Sequence, residues 1–587
     1  MSEWVHPGLL FIFGAPLIPL LGGRARKIWM ILIPVLAIIS VVGMTPGTFG
    51  VFEFAGITII AGQVDKLSLV FAHVFTIMSL IGMIYALHVE RFPEHVAAFL
   101  YVGSALGVVF AGDWFTLLVF WEIMAFASAY LVFASNNGPA TRAGFRYLMV
   151  HITGGVLLLG GIVLHGLETG SMLFGPIAEG GGLAYTLILI SFILNAAVPP
   201  LNAWLTDAYP EATVTGAVFM SAFTTKTAVY VLLRAFPGTE ILIWLGAVMA
   251  LYGVIYAVLE NDCRRLLAYH IVSQVGYMVV GVGIGTEMAV NGSASHAFAH
   301  IIYKGLLFMG AGAVIHMTGK RLLTDMGGLY RTMPWTVVLY MVGAFAISAF
   351  PLFSGFVSKS MVVAAAGEDH LAAVALLLTL ASSGTFLHTG LKLPYYMFFG
   401  RDSGIEAKEP PANMLTAMGI AAVLCIAIGV FPGMLYSLLP YPVHFEPYTA
   451  AHVTGSLGIL MFTALGFVLL LRQLDPERTI SLDTDWFYRK GAQLFMWFAE
   501  KPVVLWEGAV SQLADTAVLP FLHGSARLGL KTDMNVVDAC VNGVARTALA
   551  WGASLRRLQT GVVTHYAMAM VGGVVAGIAV YFVVSGG

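Results

Sequence analysis

Apolar runs of about twenty residues, the length that crosses a bilayer as a helix, recur from one end of this chain to the other. Nothing else in the sequence restricts the fold as much. Hydropathy marks about sixteen spans: 8–22, 28–44, 67–88, 96–112, 114–134, 145–166, 184–200, 213–235, 241–259, 266–285, 294–317, 334–366, 371–398, 414–436, 453–471 and 564–585. Of the 587 residues 59% are hydrophobic and 10% charged, against about 25% charged in a soluble domain. The expected fold is an all-α polytopic membrane protein surrounded by lipid. A net charge of −2 offers nothing to nucleic acid. Cys263, Cys425 and Cys540 stand far apart, with no CxxC or CxxCH spacing. No disulfide framework, iron–sulfur site or attached haem is therefore expected. The segment MSEWVHPGLLF lacks a basic n-region and a small-residue cleavage site, so it reads as a retained first span.

Loop charges set the orientation. Arg24, Arg26 and Lys27, then Arg91, Arg142 and Arg146, then Arg264 and Arg265 fall in alternate loops. Lys320, Arg321 and Arg331, then Arg401 and Lys408, then Arg472 and Arg478 continue the alternation. The intervening loops 167–183, 286–293, 367–370 and 437–452 carry no Lys or Arg. This holds only if 334–366, interrupted by Pro351 and Gly355, is one broken crossing. The positive-inside rule then places the basic loops in the cytoplasm and the N-terminus outside, in the plasma (inner) membrane of the cell.

Residues 45–66 form an outer loop whose alternating apolar positions (VFEFAGITII) suit a short hairpin. From about 473 to 560 charged and apolar residues mix, the pattern of an amphipathic helix lying along the membrane surface or against partner subunits. A final anchor span follows. Interrupted spans at corresponding places in two halves point to a transport site. Here 184–200 runs into Pro199 and Pro200, and 334–366 is broken at Pro351. They lie five spans apart, so two five-helix units would have opposite orientation. The expected divisions are 1–95, N-terminal helices and outer loop; 96–235 and 241–398, two inverted repeats; 399–472, flanking helices; and 473–587, amphipathic segment and anchor.

Ionisable residues occur at the centres of these spans. An ionised group there costs at least ~2.5–3.5 kcal/mol on the insertion scale, so such residues usually pair or line a pathway. Glu122 lies in DWFTLLVFWEIMAFASAYLVF, and Lys226, Lys304 and Lys359 lie at comparable depths. His296, His300 and Lys304 follow one another at four-residue steps, a stripe about 12 Å tall on one helix face. Neutral imidazole both donates and accepts a hydrogen bond and protonates near neutrality, so the stripe suits a proton relay joined by water. A pair of satisfied histidines or a haem ligand is the plainer alternative. Glu122 and Lys226 suit a pair toggled by a mobile proton, or a static salt bridge. Lys359 lies just past the Pro351–Gly355 break, where freed carbonyls can hold water or a cation; the alternative is a snorkelling lysine. Lys392, His270 and His388 lie nearer span ends, as does Asp113, and are accessory candidates. No hydrolase triad, Walker loop or dinucleotide fingerprint appears, and no metal or cofactor site is expected.

Five motifs, in order over roughly residues 67–400, resemble the Mrp-type cation/proton antiporter subunits and the related proton-pumping membrane subunits of respiratory complex I. FWE at Glu122 resembles the glutamate of the fifth helix. PLNAWLTDAYPEATVTG (200–216) resembles PLHxWLPDAxxxAPTxxS. RLLAYHIVSQVGYM (265–278) resembles KRLLAYSSxSQxGYM. His296, His300 and Lys304 with GLLFMGAGAVIH resemble HxxxHAxFKALLFLxAGxVIH. SAFPLFSGFVSK (348–359) resembles the broken twelfth helix that ends on a lysine. The core, with TTKTAVYVLLR, is similar to the D-type antiporter subunits, while the tail is similar to the C-terminal extension of the longest complex I antiporter-like subunit.

The resemblance implies that Glu122, Lys226, His296, His300, Lys304 and Lys359 form a proton path. It also implies partners: other membrane subunits, with H+ and Na+ as transported ions. One position departs from the pattern. Where the family has a seventh-helix lysine paired with the glutamate, this chain has Asn195. Either Lys226 takes that role or the first half-channel is weakened, and Asn195→Lys with a transport assay separates the two. The expected function is a membrane subunit of a cation/proton antiporter or proton-pumping respiratory complex, conducting protons from Glu122 through Lys226 and Lys304 to Lys359. Across ~8 Å at an effective dielectric near 20, neighbouring charges couple by about 2 kcal/mol. Alternatives are a structural subunit with lapsed translocation and a stand-alone carrier for a small solute.

Overall fold

The computed structural model describes residues 5–54, 56–178, 180, 182–478 and 483–586. The chain divides into two compact units, Met1–Phe487 and Tyr488–Gly587. The first opens with α1 (Pro7–Gly14), α2 (Gly23–Val42) and a hairpin of β1 (Gly47–Phe54) and β2 (Ile57–Val64). Next come α3 (Lys66–Ala86), α4 (Phe92–Phe110), α5 (Trp114–Phe133), α6 (Gly138–Thr169) and α7 (Gly182–Asn195). The middle holds α8 (Ala203–Ala208), α9 (Val214–Ala222), α10 (Thr224–Ala235), α11 (Ile241–Leu259), α12 (Cys263–Ile284) and α13 (Glu287–Thr318). The unit continues with α14 (Pro334–Ile347), α15 (Ser354–Glu368), α16 (Ala372–Thr385), α17 (Ala412–Val430), α18 (Gly433–Tyr436) and α19 (Ala450–Leu469). The apolar, alternating loop does form the hairpin, antiparallel from Gly47 opposite Val64 to Phe54 opposite Ile57.

Thirteen helices among the described residues are long and apolar enough to span a membrane. The segments Pro7–Leu20, Gly182–Asn195 and Pro334–Ile347 are apolar but shorter. Helix starts are set by side chains that take up free N–H groups. Asp65 and Ser68 form a reciprocal capping box on α3. Asp113 accepts from Thr116 N on α5 and from Ile60 N of the hairpin, each at 2.8 Å, so this residue is a helix cap that also holds the outer loop. Its carboxylate is fully engaged, and no access role is needed to explain its burial.

α13 is the centre of the unit. It is buried over almost its whole length and packs against α3, α9, α12, α14, α15 and α17. One arrangement of elements occurs twice. Asp113 caps α5 and bridges to Leu173 beyond α6; Asp262 caps α12 and bridges to Leu322 beyond α13. α6 and α13 are each 32 residues long. α7 then stops at Asn195 with Ala197 in the left-handed region (φ 60), and α14 stops at Ile347 with Ala349 there (φ 56). The members of each pair lie five apolar segments apart in the chain.

The second unit is helical from Tyr488 onward. It contains α20 (Thr484–Phe498) beyond that point, α21 (Val504–Leu513), α22 (Leu519–Thr532) and α23 (Asp538–Leu558), joined by π-turns, then α24 (Val563–Ser585). None of α21 to α24 buries a residue, and Trp497, Trp506 and Trp551 are exposed.

Candidate functional site

The expected stripe lies on α13. His296, His300 and Lys304 are each fully buried, because the packing of six helices around α13 leaves no face for lipid. The His296 and His300 rings are 6.1 Å apart, and Tyr303 stands 5.2 Å from His300. His296 makes a long contact from Nδ1 to Ser358 Oγ at 3.4 Å, on the turn before Lys359. Tyr277 links the same groups, with its ring 5.8 Å from His296 and 5.0 Å from Lys359 Nζ. Lys304 Nζ lies 5.8 Å from the Phe308 ring. Both nitrogens of His300, His296 Nε2, Lys304 Nζ and Lys359 Nζ are buried without a hydrogen-bond partner among the described residues. An imidazole so placed can take a proton on one nitrogen and release it from the other.

The accessory residues form a branch beside the stripe. The His270 and His388 rings are 5.0 Å apart, within electrostatic reach of Lys304 and Lys359. His388 contacts Thr389 Oγ1 at 2.8 Å, on a π-helical stretch, Phe386–Lys392, that widens the end of α16. Lys392 donates to Val258 O at 2.5 Å. Two residues on lies Glu260, in the loop between α11 and α12. Burial, against the pull of the Arg265 guanidinium, pushes its carboxyl up to about 7, with Asp262 and Asp483 adding to the rise. Asp483 is itself buried and accepts from the Tyr252 and Tyr269 hydroxyls. Sequence reading does not single out Glu260 or Asp483, since acidic residues in polar segments are ordinary. On the opposite flank a cavity of about 370 Å3 opens beside Lys359, with Ser348, Ser360, Thr379, Ser382 and His452 on its wall.

The first repeat is built differently. Lys226 is fully buried just past the interruption between α9 and α10, and its Nζ donates to Ser221 O at 2.7 Å and Thr225 Oγ1 at 3.1 Å. The helix break frees the carbonyl that the ammonium takes up. The expected Glu122–Lys226 ion pair is not formed: backbone and hydroxyl oxygens, not a carboxylate, hold Lys226. The ion pairs among the described residues all involve arginine, such as Arg146–Asp207 at 2.6 Å and Arg321–Glu211 at 2.8 Å. Glu122 is half-buried on α5, with its carboxylate against Gly155 of α6, where a Cβ would collide with Oε1. Asn195, at the end of α7, is buried, and its Oδ1 has no hydrogen-bond partner among the described residues. Beside it sits His151 of α6, buried between Tyr147 and Trp204 at ring separations of 4.2 and 4.6 Å. Sequence reading does not mark His151, because a lone histidine in an apolar helix is a weak signal.

Residues 111–386 match the family described as NADH:quinone oxidoreductase/Mrp antiporter, TM. Among curated relatives, the D subunit of a Na(+)/H(+) antiporter of Alkalihalophilus pseudofirmus is 33% identical over 341 residues, 54% of this chain and 68% of that one. The A/B subunit of a probable K(+)/H(+) antiporter of Rhizobium meliloti is 31% identical over 375 residues, 59% of this chain but 37% of its own length. Among solved structures, a chain of the membrane-bound sulfane sulfur reductase, an archaeal respiratory membrane complex, superposes with a TM-score of 0.69 at 22% identity, covering 98% of this chain and 99% of that one. By fold, by motif order and by these likenesses, the chain belongs to the NADH:quinone oxidoreductase/Mrp antiporter transmembrane family.

Proposed function

We propose that this chain is a membrane subunit of a multisubunit cation/proton antiporter, conducting protons in exchange for Na+. The path runs from Glu122 through Lys226 to Lys304, then along His300 and His296 to Lys359. His270, His388 and Lys392 form a branch toward the basic loops. One observation carries the reading: Lys304 Nζ, Lys359 Nζ, both His300 nitrogens and His296 Nε2 are buried at the centre of the unit with no hydrogen-bond partner or ion pair among the described residues. A structural role would call for ion pairs, since an unmatched buried charge is costly. Buried polar atoms without protein partners are satisfied by ordered water, and a file of water and titratable groups passes protons. The basic loops face the cytoplasm, the N-terminus lies outside, and the host membrane is the plasma membrane. Partners are other membrane subunits of the same complex.

The test uses inverted membrane vesicles from the native host carrying the assembled complex. Lys304→Ala or Lys359→Ala is expected to reduce the cation-driven change in internal pH at least tenfold, with assembly of the complex intact. Undiminished exchange in both variants sinks the reading. A second reading, a proton-conducting subunit of a redox-driven complex, is favoured by the sulfane sulfur reductase likeness, which extends through the tail. Copurifying subunits separate the two: small antiporter subunits support the first, quinone-site or hydrogenase-like subunits the second.

A further inference from the structure

The twofold arrangement of elements gives each position in the second repeat a counterpart in the first. His300 stands thirteen residues beyond Glu287, the first residue of α13, and His151 stands thirteen beyond Gly138, the first residue of α6. On the same register Lys304 corresponds to Gly155, the residue against which the Glu122 carboxylate lies. His296 corresponds to Tyr147, whose ring lies 4.2 Å from that of His151, tilted by 44°. The first repeat therefore keeps an imidazole where the second has His300, and gives up the lysine's space to a carboxylate from α5.

His151 is 2% exposed. Its ring turns toward Asn195, yet neither His151 Nε2 nor Asn195 Oδ1 completes a hydrogen bond among the described residues. Trp204, packed edge-on to the ring, gives its own N–H to Leu194 O at 3.0 Å. A histidine kept for packing alone would carry the desolvation cost of an unmatched buried nitrogen for nothing. From Gly155 the ring is one helical turn away, about 6 Å along α6. On its other side begins a row of buried hydroxyls. Tyr147 OH meets Ser128 Oγ at 2.8 Å and faces Thr224, and Tyr101 OH meets Thr224 Oγ1 at 2.5 Å. Thr225, next in the chain, accepts from Lys226 Nζ.

We propose that His151 is the proton carrier between Glu122 and Lys226. The inference rests on the conduction reading above and assigns the group that completes its first half. The Glu122 carboxyl gives its proton, through a bridging water, to His151 Nε2, leaving a carboxylate and an imidazolium. The imidazolium loses its Nδ1 proton into the Tyr147 and Thr224 hydroxyls, each accepting one proton and passing one on, and Lys226 receives it as an ammonium by way of Thr225 Oγ1. His151 returns to the neutral form and no other reactant is used.

The test compares variants of the assembled complex in the same vesicles. His151→Gln keeps a hydrogen-bonding side chain but cannot carry a proton, and is expected to lower cation-driven exchange at least tenfold with copurification of the other subunits unchanged. Adding Asn195→His to that variant puts an imidazole back in the same pocket from α7, and is expected to recover at least a third of the parent rate. A packing role would not respond to that second change, so failure of the double variant to recover overturns the assignment. Full activity of His151→Gln alongside an inactive Lys304→Ala overturns it too, while leaving the conduction reading in place. If Lys304→Ala is also fully active, both fall together.

Discussion

Glu260 shows how a loop carboxyl acquires an unusual affinity for protons. It lies just outside the membrane-spanning part of α11, partly shielded from water and beside two other carboxylates, so its carboxyl holds a proton up to about 7. In the unfolded chain the same group releases it near about 4.3. Between those values the folded state binds more protons, so its contribution to stability is complete below about pH 4.3. It is lost as pH rises toward 7 and stays level beyond. Glu260→Gln is expected to remove that slope: the variant complex should melt at a higher temperature than the parent at about pH 8, and near the parent's at about pH 4.5. Thermal scans at the two values check it. Glu122, Lys226, Lys304 and Lys359 could be read from sequence because charge inside an apolar run is expensive and needs a reason. His151, Glu260 and Asp483 could not. Their surroundings are made by residues distant in the chain, such as Trp204 against His151 and Tyr252 and Tyr269 against Asp483.

At the scale of elements, two kinds of interruption behave differently. The break between α14 and α15 is written in the sequence by Pro351 and Gly355. The structure adds why glycine is required: a Cβ on Gly355 would run into Ala346 O, and one on Gly429 of α17 would run into Leu352 O. Leu352 sits in the left-handed region with φ 74, an unfavourable conformation for a branched side chain. The break is thus clamped by close backbone approach, and Lys359 hangs from the helix that starts there. Gly429→Ala is expected to destabilise by about 1–3 kcal/mol and to slow transport, because the clamp positions α15. Inactivation half-lives of the purified complex, with exchange rates in vesicles, measure the two effects. The break at Phe223, by contrast, has no proline or glycine to announce it. SAFTTKT reads as continuous helix, and only the placement of Lys226 Nζ on Ser221 O reveals what the interruption serves.

The whole molecule combines a densely buried bundle with a second unit of the opposite character. Membrane class, alternation of basic loops and the interrupted spans followed from periodicity and charge, which act locally and leave a mark in any short window. The residue register of α6 against α13 did not, because repeat copies can keep helix length and cap positions while few residues stay the same. Removal of residues 488–587 is expected to leave the bundle folded but to release neighbouring membrane subunits. Purification through a tag on the shortened chain, followed by identification of what remains bound, checks this; retention of every subunit counts against a tethering role. The exposed tryptophans of the tail have a wider consequence. Roughly a hundred residues that shelter almost none of their own side chains cannot draw order from an interior. Their order must be lent by acyl chains or by adjoining proteins, so detergent choice and bilayer thickness should disturb this stretch well before the bundle registers any change.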